Sequence, residues 1–142
     1  MLLIAVLAHV AVLQSAPCAW LTAADFTKVL GQNEPSSGQS AAPPAYHGQN
    51  PGTKCVYGSG HVQLIAYVDN SAEEAKSTFA KLQMFFPATS NPSSIGDDAY
   101  IDKDHAIHVL KGKVRFYIKI SDSDAKVEKQ ARDLAQLVVA RI

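Results

Sequence analysis

The sequence predicts an α+β domain, with helices packed on an antiparallel sheet of about five strands. Three segments carry apolar residues at helical spacing, and the strand-like runs between them alternate apolar and polar residues. Most of these runs are separated by short turns, which favours antiparallel pairing because a parallel pair needs a long crossover. The predicted order of elements is α-β-β-α-β-β-β-α. A chain of 142 residues, 47% of them hydrophobic, suits one domain with a packed core.

Residues 1–15 resemble a secretory signal segment. Residues 2–13 are apolar except for His9, and twelve such residues are too few to span a bilayer, which takes about 20. No basic residue precedes them, so we expect the true start to lie upstream of Met1. The alternative is a buried N-terminal helix of a cytosolic protein, but such a helix would show a polar face. We therefore expect residues 16–142 to form a periplasmic or extracellular domain without a transmembrane span, and leave membrane association open.

The chain has two cysteines, Cys18 and Cys55. In an oxidising compartment such a pair predicts a disulfide, which on the chain-entropy model would stabilise the fold by about 4 kcal/mol. One alternative is lipid modification of Cys18. Pro17 argues against it, because a lipid-attachment motif has a small residue before the cysteine. Another is that Cys55 is a nucleophile, but no sequence feature places a base beside it.

The first half of the chain contains signals for one helix and one hairpin. A helix begins at a capping box formed by Thr22 and Asp25 and ends at Gly31. Residues 32–54 are rich in Pro, Ser and Gly and are predicted to form a long loop. The glycines at 58 and 60 predict a hairpin turn, followed by an alternating strand over residues 61–68.

The second half predicts two helices around three strands. The first helix covers residues 71–86, with Ser71 and Glu74 as its capping box and Pro87 as its end. Strands are predicted at residues 99–103, 105–110 and 114–120. The closing helix has Ser121 and Ser123 as candidate N-caps.

Three short motifs and one glycine follow one another along the chain: PCAWLT at 17–22, Gly31, CVY at 55–57 and IGDDAY at 95–100. This arrangement resembles a family of short exported bacterial proteins and lipoproteins of unknown function. The family is distantly similar to the extracellular sensor domain of a mycobacterial serine/threonine kinase. The resemblance implies an α+β domain with a two-cysteine disulfide and supplies no catalytic residues. Ser94 stands where the family often has glycine, and the lipid-attachment motif is missing.

The sequence gives only weak evidence for catalytic or metal-binding residues. His105 and His108 are three apart on a predicted strand and so point to opposite faces. Asp97 and Asp98 follow a glycine, a pattern more typical of a turn than of a calcium loop. We therefore predict no cofactor, no metal site and no enzymatic activity. The formal net charge of zero argues against a nucleic-acid partner.

One predicted sheet face carries residues that are common at recognition surfaces. If Val62 and Phe116 face the core, the opposite face presents tyrosines and cations. The predicted binding residues are Tyr67, Tyr100, Arg115, Tyr117 and Lys119. The alternatives are that a helix covers this face or that it is an ordinary solvated surface.

The sequence thus favours an exported binding or interaction module of the cell envelope. Its partner would be an envelope protein, a peptide, a glycan or a lipid. The alternatives are a structural envelope protein without a specific ligand and, less favoured, a small hydrolase.

Overall fold

The computed structural model describes residues 16–142, and the predicted signal segment lies outside the described residues. A 3-10 turn at Pro17–Ala19 comes first. The helices of the described residues are α1 (Ala23–Leu30), α2 (Ala72–Phe85) and α3 (Val127–Val139). The strands are β1 (Ser36–Ala42), β2 (Gly52–Tyr57), β3 (Val62–Val68), β4 (Ala88–Ser90), β5 (Asp98–Asp102), β6 (Ile107–Lys111) and β7 (Val114–Ile120).

All seven strands belong to one sheet in the order β1-β2-β3-β7-β6-β5-β4, and every neighbouring pair is antiparallel. Each half of the chain builds one half of the sheet. The two halves meet at the central pair β3–β7, where Leu64 lies opposite Ile118. The predicted α+β class with an antiparallel sheet is confirmed.

The predicted number and order of strands are wrong in detail. The structure has seven strands rather than about five, in the order α-β-β-β-α-β-β-β-β-α. Strand β1 lies within the predicted loop of residues 32–54. It is an edge strand of small polar residues, largely exposed and held by backbone pairing with β2, so it shows no apolar alternation. Strand β4 has three residues and lies at the other edge, too short to give a pattern.

Both predicted ends of the first helix, α1, are confirmed. Thr22 Oγ1 accepts from the Asp25 amide at 3.4 Å, and the Asp25 carboxylate accepts from the Thr22 amide at 2.7 Å. Gly31 follows α1 in the left-handed conformation, with φ of 75°, which a residue without Cβ adopts at no steric cost.

The caps of the other two helices differ from the prediction. Ser71 caps α2 by accepting from the Glu74 amide at 3.0 Å, but the Glu74 carboxylate accepts from the Asn70 amide instead of closing the box. Helix α3 begins at Val127 without a side-chain cap. The predicted N-caps Ser121 and Ser123 lie in the segment that leads into it, and Asp122 and Asp124 organise that turn.

Helices cover both faces of the sheet. The main core lies on the side of α1 and α3, where the inward residues of the strands, such as Val62 and Phe116, are buried against Phe26 and Leu134. On the opposite face α2 packs on β5 and β6, forming a small second cluster of Ala75, Phe79, Tyr100 and Leu110. One helix is narrower than a seven-stranded sheet, so α2 covers only part of this face.

Two links fasten the ends of the described chain to the rest of the fold. The predicted disulfide is confirmed: Cys18 and Cys55 are bonded, with Cα atoms 5.3 Å apart, and Cys55 is fully buried in β2. At the other end Arg141 donates to both Asp25 carboxylate oxygens, at 2.6 and 2.8 Å, and to the Trp20 carbonyl. Within residues 16–142 no helix is both long enough and apolar enough to cross a membrane.

The disulfide should contribute about 4 kcal/mol to the free energy of unfolding, because it closes a loop across 37 residues of sequence. The Cys18→Ala/Cys55→Ala double variant is expected to lose about that amount in urea denaturation. Reductant should lower the stability of the wild type and leave the double variant unchanged. Two titratable thiols in the purified, unreduced native protein would contradict this.

The Asp25–Arg141 pair should make stability fall in acid. The hydrogen bond from Arg141, helped by Thr22 and opposed by burial, lowers the pKa of Asp25 from 3.8 to about 2. A carboxyl with a depressed folded pKa contributes stability above about pH 4, and this is lost as the pH falls through about 2. Arg141→Met should cost about 1 kcal/mol at pH 7, a modest value because Arg141 is one-third exposed (35%).

The matched control is Arg132→Met, on the exposed side of helix α3, which ends two residues before Arg141. Its unfolding curve should match the wild type at every pH. The difference in the free energy of unfolding between the wild type and Arg141→Met should disappear as the pH falls from 4 to 2. A difference that persists unchanged at pH 2 would show that Arg141 acts through its bond to Trp20 instead.

Candidate functional site

A row of stacked rings crosses the sheet on the side of α2. Strand register places Tyr100 of β5 opposite His108 of β6, and His108 opposite Tyr117 of β7. The rings of Tyr100 and His108 are 4.4 Å apart and almost parallel, at 5°. Those of His108 and Tyr117 are 5.2 Å apart and tilted by 31°. Directly opposed residues share one face of an antiparallel pair, so the register alone assembles this row.

A second row beside it combines a cation with a ring. Arg115 of β7 lies opposite Tyr67 of β3, with its guanidinium carbon 4.6 Å from the ring centroid. Arg115 Nε and Nη2 donate to the two carboxylate oxygens of Asp69, at 2.5 and 3.1 Å. Both charged side chains are buried, so the positive charge of Arg115 is already balanced by the carboxylate of Asp69. Tyr67 lies over Gly52, where any Cβ would meet its ring, and donates its hydroxyl to the Pro43 carbonyl at 3.0 Å.

Helix α2 covers these rows incompletely and leaves a pocket. Phe79 meets Tyr100 edge-on at 5.3 Å, and Phe86, just past the helix end, stacks near His108 at 5.9 Å. Leu82 and Ala45 complete the walls of a pocket of about 190 Å³. An apolar cavity of about 150 Å³ is large enough to bind benzene, so this pocket has room for one ring.

An ion pair orients His108. Its Nε2 lies 2.7 Å from Asp102 Oδ2, while Asp102 Oδ1 accepts from the backbone amides of Asp104 and Ala106. A carboxylate only accepts, so the His108 proton is on Nε2 and Nδ1 is left as an acceptor in the neutral ring. Burial lowers the pKa of His108, opposed by its hydrogen bond and charge interaction with Asp102. The ring is therefore neutral at pH 7.

The pocket retains polar atoms that the protein does not use. The hydroxyls of Tyr100 and Tyr117, Nδ1 of His108 and Nη1 of Arg115 have no hydrogen-bond partner among residues 16–142. No fully buried polar side-chain atom in this part of the chain lacks a partner, so none of these four atoms is fully buried. Burial raises the pKa of Tyr100 to about 12, with Asp102 adding to the effect, and it also raises the pKa of Tyr117.

The structure brings four of the five predicted binding residues to this pocket: Tyr67, Tyr100, Arg115 and Tyr117 all line it. Tyr100 and Arg115 are buried, while Tyr67 and Tyr117 are half-buried. Lys119 lies further along β7 and lines a separate shallow depression next to Lys103.

Sequence reasoning missed the residues that α2 and the β1–β2 connection bring to the pocket, namely Ala45, Phe79, Leu82 and Phe86. Their helical or loop context gives no sign of which sheet residues they will contact. It also missed His108 as a wall of this pocket. The available signal was the alternation of β6, which places His108 on the same face as Leu110.

The other titratable residues that the sequence singles out lie apart from the pocket. His105 sits in the β5–β6 turn, with φ of 63°, and contacts Glu128 at 3.0 Å. His61 pairs with Glu34 at 2.5 Å, and Asp97 accepts from the Gly112 amide. Across the described residues, no group of three or more His, Cys, Asp or Glu is arranged to hold a metal ion.

An exposed apolar patch adjoins the pocket. Met84, Phe85 and Phe86 follow one another at the end of α2 and are 80%, 70% and 49% exposed. Phe86 belongs both to the patch and to the wall of the pocket. Isolated exposed apolar residues are ordinary, but three consecutive large ones make this end of α2 a candidate interaction surface.

Comparisons with protein-family models and with curated proteins find no match for this chain.

The imidazole of His108 should titrate below its usual pKa of 6.5, because burial outweighs the attraction of Asp102. A histidine whose folded pKa is depressed resists protonation only when folded, so stability should decrease as the pH falls below about 6.5. Ring-proton NMR measures the midpoint directly. Asp102→Asn keeps an acceptor oxygen for the Asp104 and Ala106 amides but removes the charge, and should lower the midpoint further. A wild-type midpoint at or above 6.5 would mean that Asp102 dominates.

Proposed function

We propose that this chain is an exported binding module of the cell envelope whose pocket accepts one ring-sized apolar group of its ligand. The observation that carries the proposal is the pocket of about 190 Å³ between α2 and the sheet, walled by aromatic side chains and left open by the helix above it. Aromatic walls with a few polar atoms are typical of ligand sites.

The size of the pocket limits what it can hold. Sites for whole drug-sized ligands usually enclose about 300–1,000 Å³, so this one suits a single ring or side chain. The exposed patch of Met84, Phe85 and Phe86 provides further contact area at the mouth. A buried anchor surrounded by apolar contacts that exclude water is the usual arrangement at a strong binding site.

The chemistry of the pocket favours binding over catalysis. Its hydroxyls belong to tyrosines, and burial raises the pKa of Tyr100 and Tyr117, which makes both poorer nucleophiles at pH 7. Among the described residues that line it, His108 is the only candidate base.

The disulfide supports the exported location. Disulfides persist in oxidising compartments such as the periplasm and the extracellular space. The bond between Cys18 and Cys55 joins two residues of the motifs that resemble the exported bacterial family. We therefore include export, and membership of that family, in the proposal.

Toluene is a suitable probe of the pocket, since it presents one ring without polar groups. We expect it to bind with a Kd of about 1 mM or lower and to shift the amide resonances of β5, β6 and β7 in NMR titrations. Ala45→Phe should fill the pocket and abolish these shifts. Ala45 is half-buried in a loop, so the larger side chain should be tolerated.

The matched control is Ala23→Phe, at the exposed start of α1 on the other side of the sheet, which should bind toluene like the wild type. Absence of binding to the wild type by both toluene and its hydroxylated analogue p-cresol, or equal binding of toluene by Ala45→Phe, would refute the proposed site. The structural envelope protein would then be the better interpretation.

A further inference from the structure

We infer that the ring bound in this pocket is neutral and carries a hydrogen-bond donor, as a phenol or an indole does. This inference rests on the proposed function and names the chemical class of the ligand. Three features carry it: the fixed orientation of His108, the unused polar atoms of the walls, and the carboxylates of Asp69 and Asp102 that contact the lining residues Arg115 and His108.

The requirement for a hydrogen-bond donor on the ligand follows from the tautomer of His108. Asp102 accepts the Nε2 proton and is itself held by two backbone amides, so the imidazole keeps this orientation. Nδ1 is then left as an acceptor with no partner among the described residues, on a ring that lines the pocket. A ligand O–H or N–H directed at Nδ1 would complete the hydrogen bonding of the ring.

The unused polar atoms disfavour a plain hydrocarbon, including an acyl chain. Such a ligand would remove water from the hydroxyls of Tyr100 and Tyr117 and from Nδ1 of His108 without replacing its hydrogen bonds. An unsatisfied buried polar group is costly, whereas a ligand that restores the bond avoids that loss. A phenol hydroxyl both donates and accepts, so it can satisfy Nδ1 and one tyrosine hydroxyl together.

The charges in the walls disfavour an ionised ligand of either sign. A carboxylate would lie near the carboxylates of Asp69 and Asp102, and the only cation among the lining residues, Arg115, is already paired with Asp69. An ammonium group would meet the Arg115 guanidinium, which already occupies the face of the Tyr67 ring. A neutral ring avoids both repulsions.

A ring of this class could be a free small molecule or the side chain of a tyrosine or tryptophan in a polypeptide. The two share the chemistry that the pocket recognises. They differ at the mouth, where a polypeptide would continue across Met84 and Phe85.

The test compares ligands of nearly equal shape by NMR titration of the full domain: p-cresol, 4-fluorotoluene and 4-methylbenzoate. We expect p-cresol to bind about five- to tenfold more tightly than 4-fluorotoluene, which lacks the donor, as one restored hydrogen bond predicts. The anion 4-methylbenzoate should bind more weakly than both. The ¹⁵N resonance of His108 Nδ1 should shift with p-cresol and stay unchanged with 4-fluorotoluene, and Ala45→Phe should abolish all binding.

Equal affinity for p-cresol and 4-fluorotoluene, or tighter binding of the anion, would overturn the inference and leave the proposed site intact. Binding of none of these ligands, nor of toluene, would overturn both. Capped N-acetyltyrosinamide distinguishes the two sources of the ring. Affinity equal to or above that of p-cresol indicates a polypeptide side chain, and affinity at least tenfold lower indicates a free small molecule.

Discussion

The pairing of β3 with β7 is the constraint on which the rest of the structure depends. It is the only junction between the two halves of the sheet, and it joins strands that are far apart in the chain. Because side chains alternate along a strand, a slip of one residue would turn Phe116 away from the main core and bury Arg115 in it. The register therefore decides at once which residues form the core and which face α2.

The buried pair of Arg115 and Asp69 ties this register to the candidate site. These residues are 46 apart in sequence, and Asp69 follows β3 at the end of the β3–β7 ladder. A slipped register would leave a buried guanidinium and a buried carboxylate without their partners, which is strongly unfavourable. The pair that penalises a wrong register also holds the cation over Tyr67 and so shapes one wall of the pocket.

The pocket exists because one helix lies on a face that is wider than the helix. Phe79 packs on Tyr100 near the middle of α2, whereas the chain past the helix end leaves Phe86 half-exposed beside His108. The opposite face has two helices and a continuous core. This unequal covering explains why one face carries the main core while the other keeps a pocket with unpaired polar atoms.

The sequence by itself determined the features that depend on local periodicity and local chemistry. The alternation of β7, the caps at Thr22 and Gly31 and the pairing of the only two cysteines could all be read from neighbouring residues or from composition. It also placed Arg115 and Tyr117 on one face of β7, since alternation fixes which residues of a strand share a side. Tyr67 joins them if Val62 and Phe116 both face the core.

Only the tertiary structure decided the features that depend on contacts between distant segments. Strand β1 has no apolar pattern because its stability comes from backbone hydrogen bonds to β2, which any residue with a free amide can make. The stacking of His108 between Tyr100 and Tyr117 requires the register of three strands, and the pocket requires the position of α2 above them. Residue type and spacing do not predict the stacking of His108 or the position of α2, because cross-strand register and helix docking are set by the packing of the whole core.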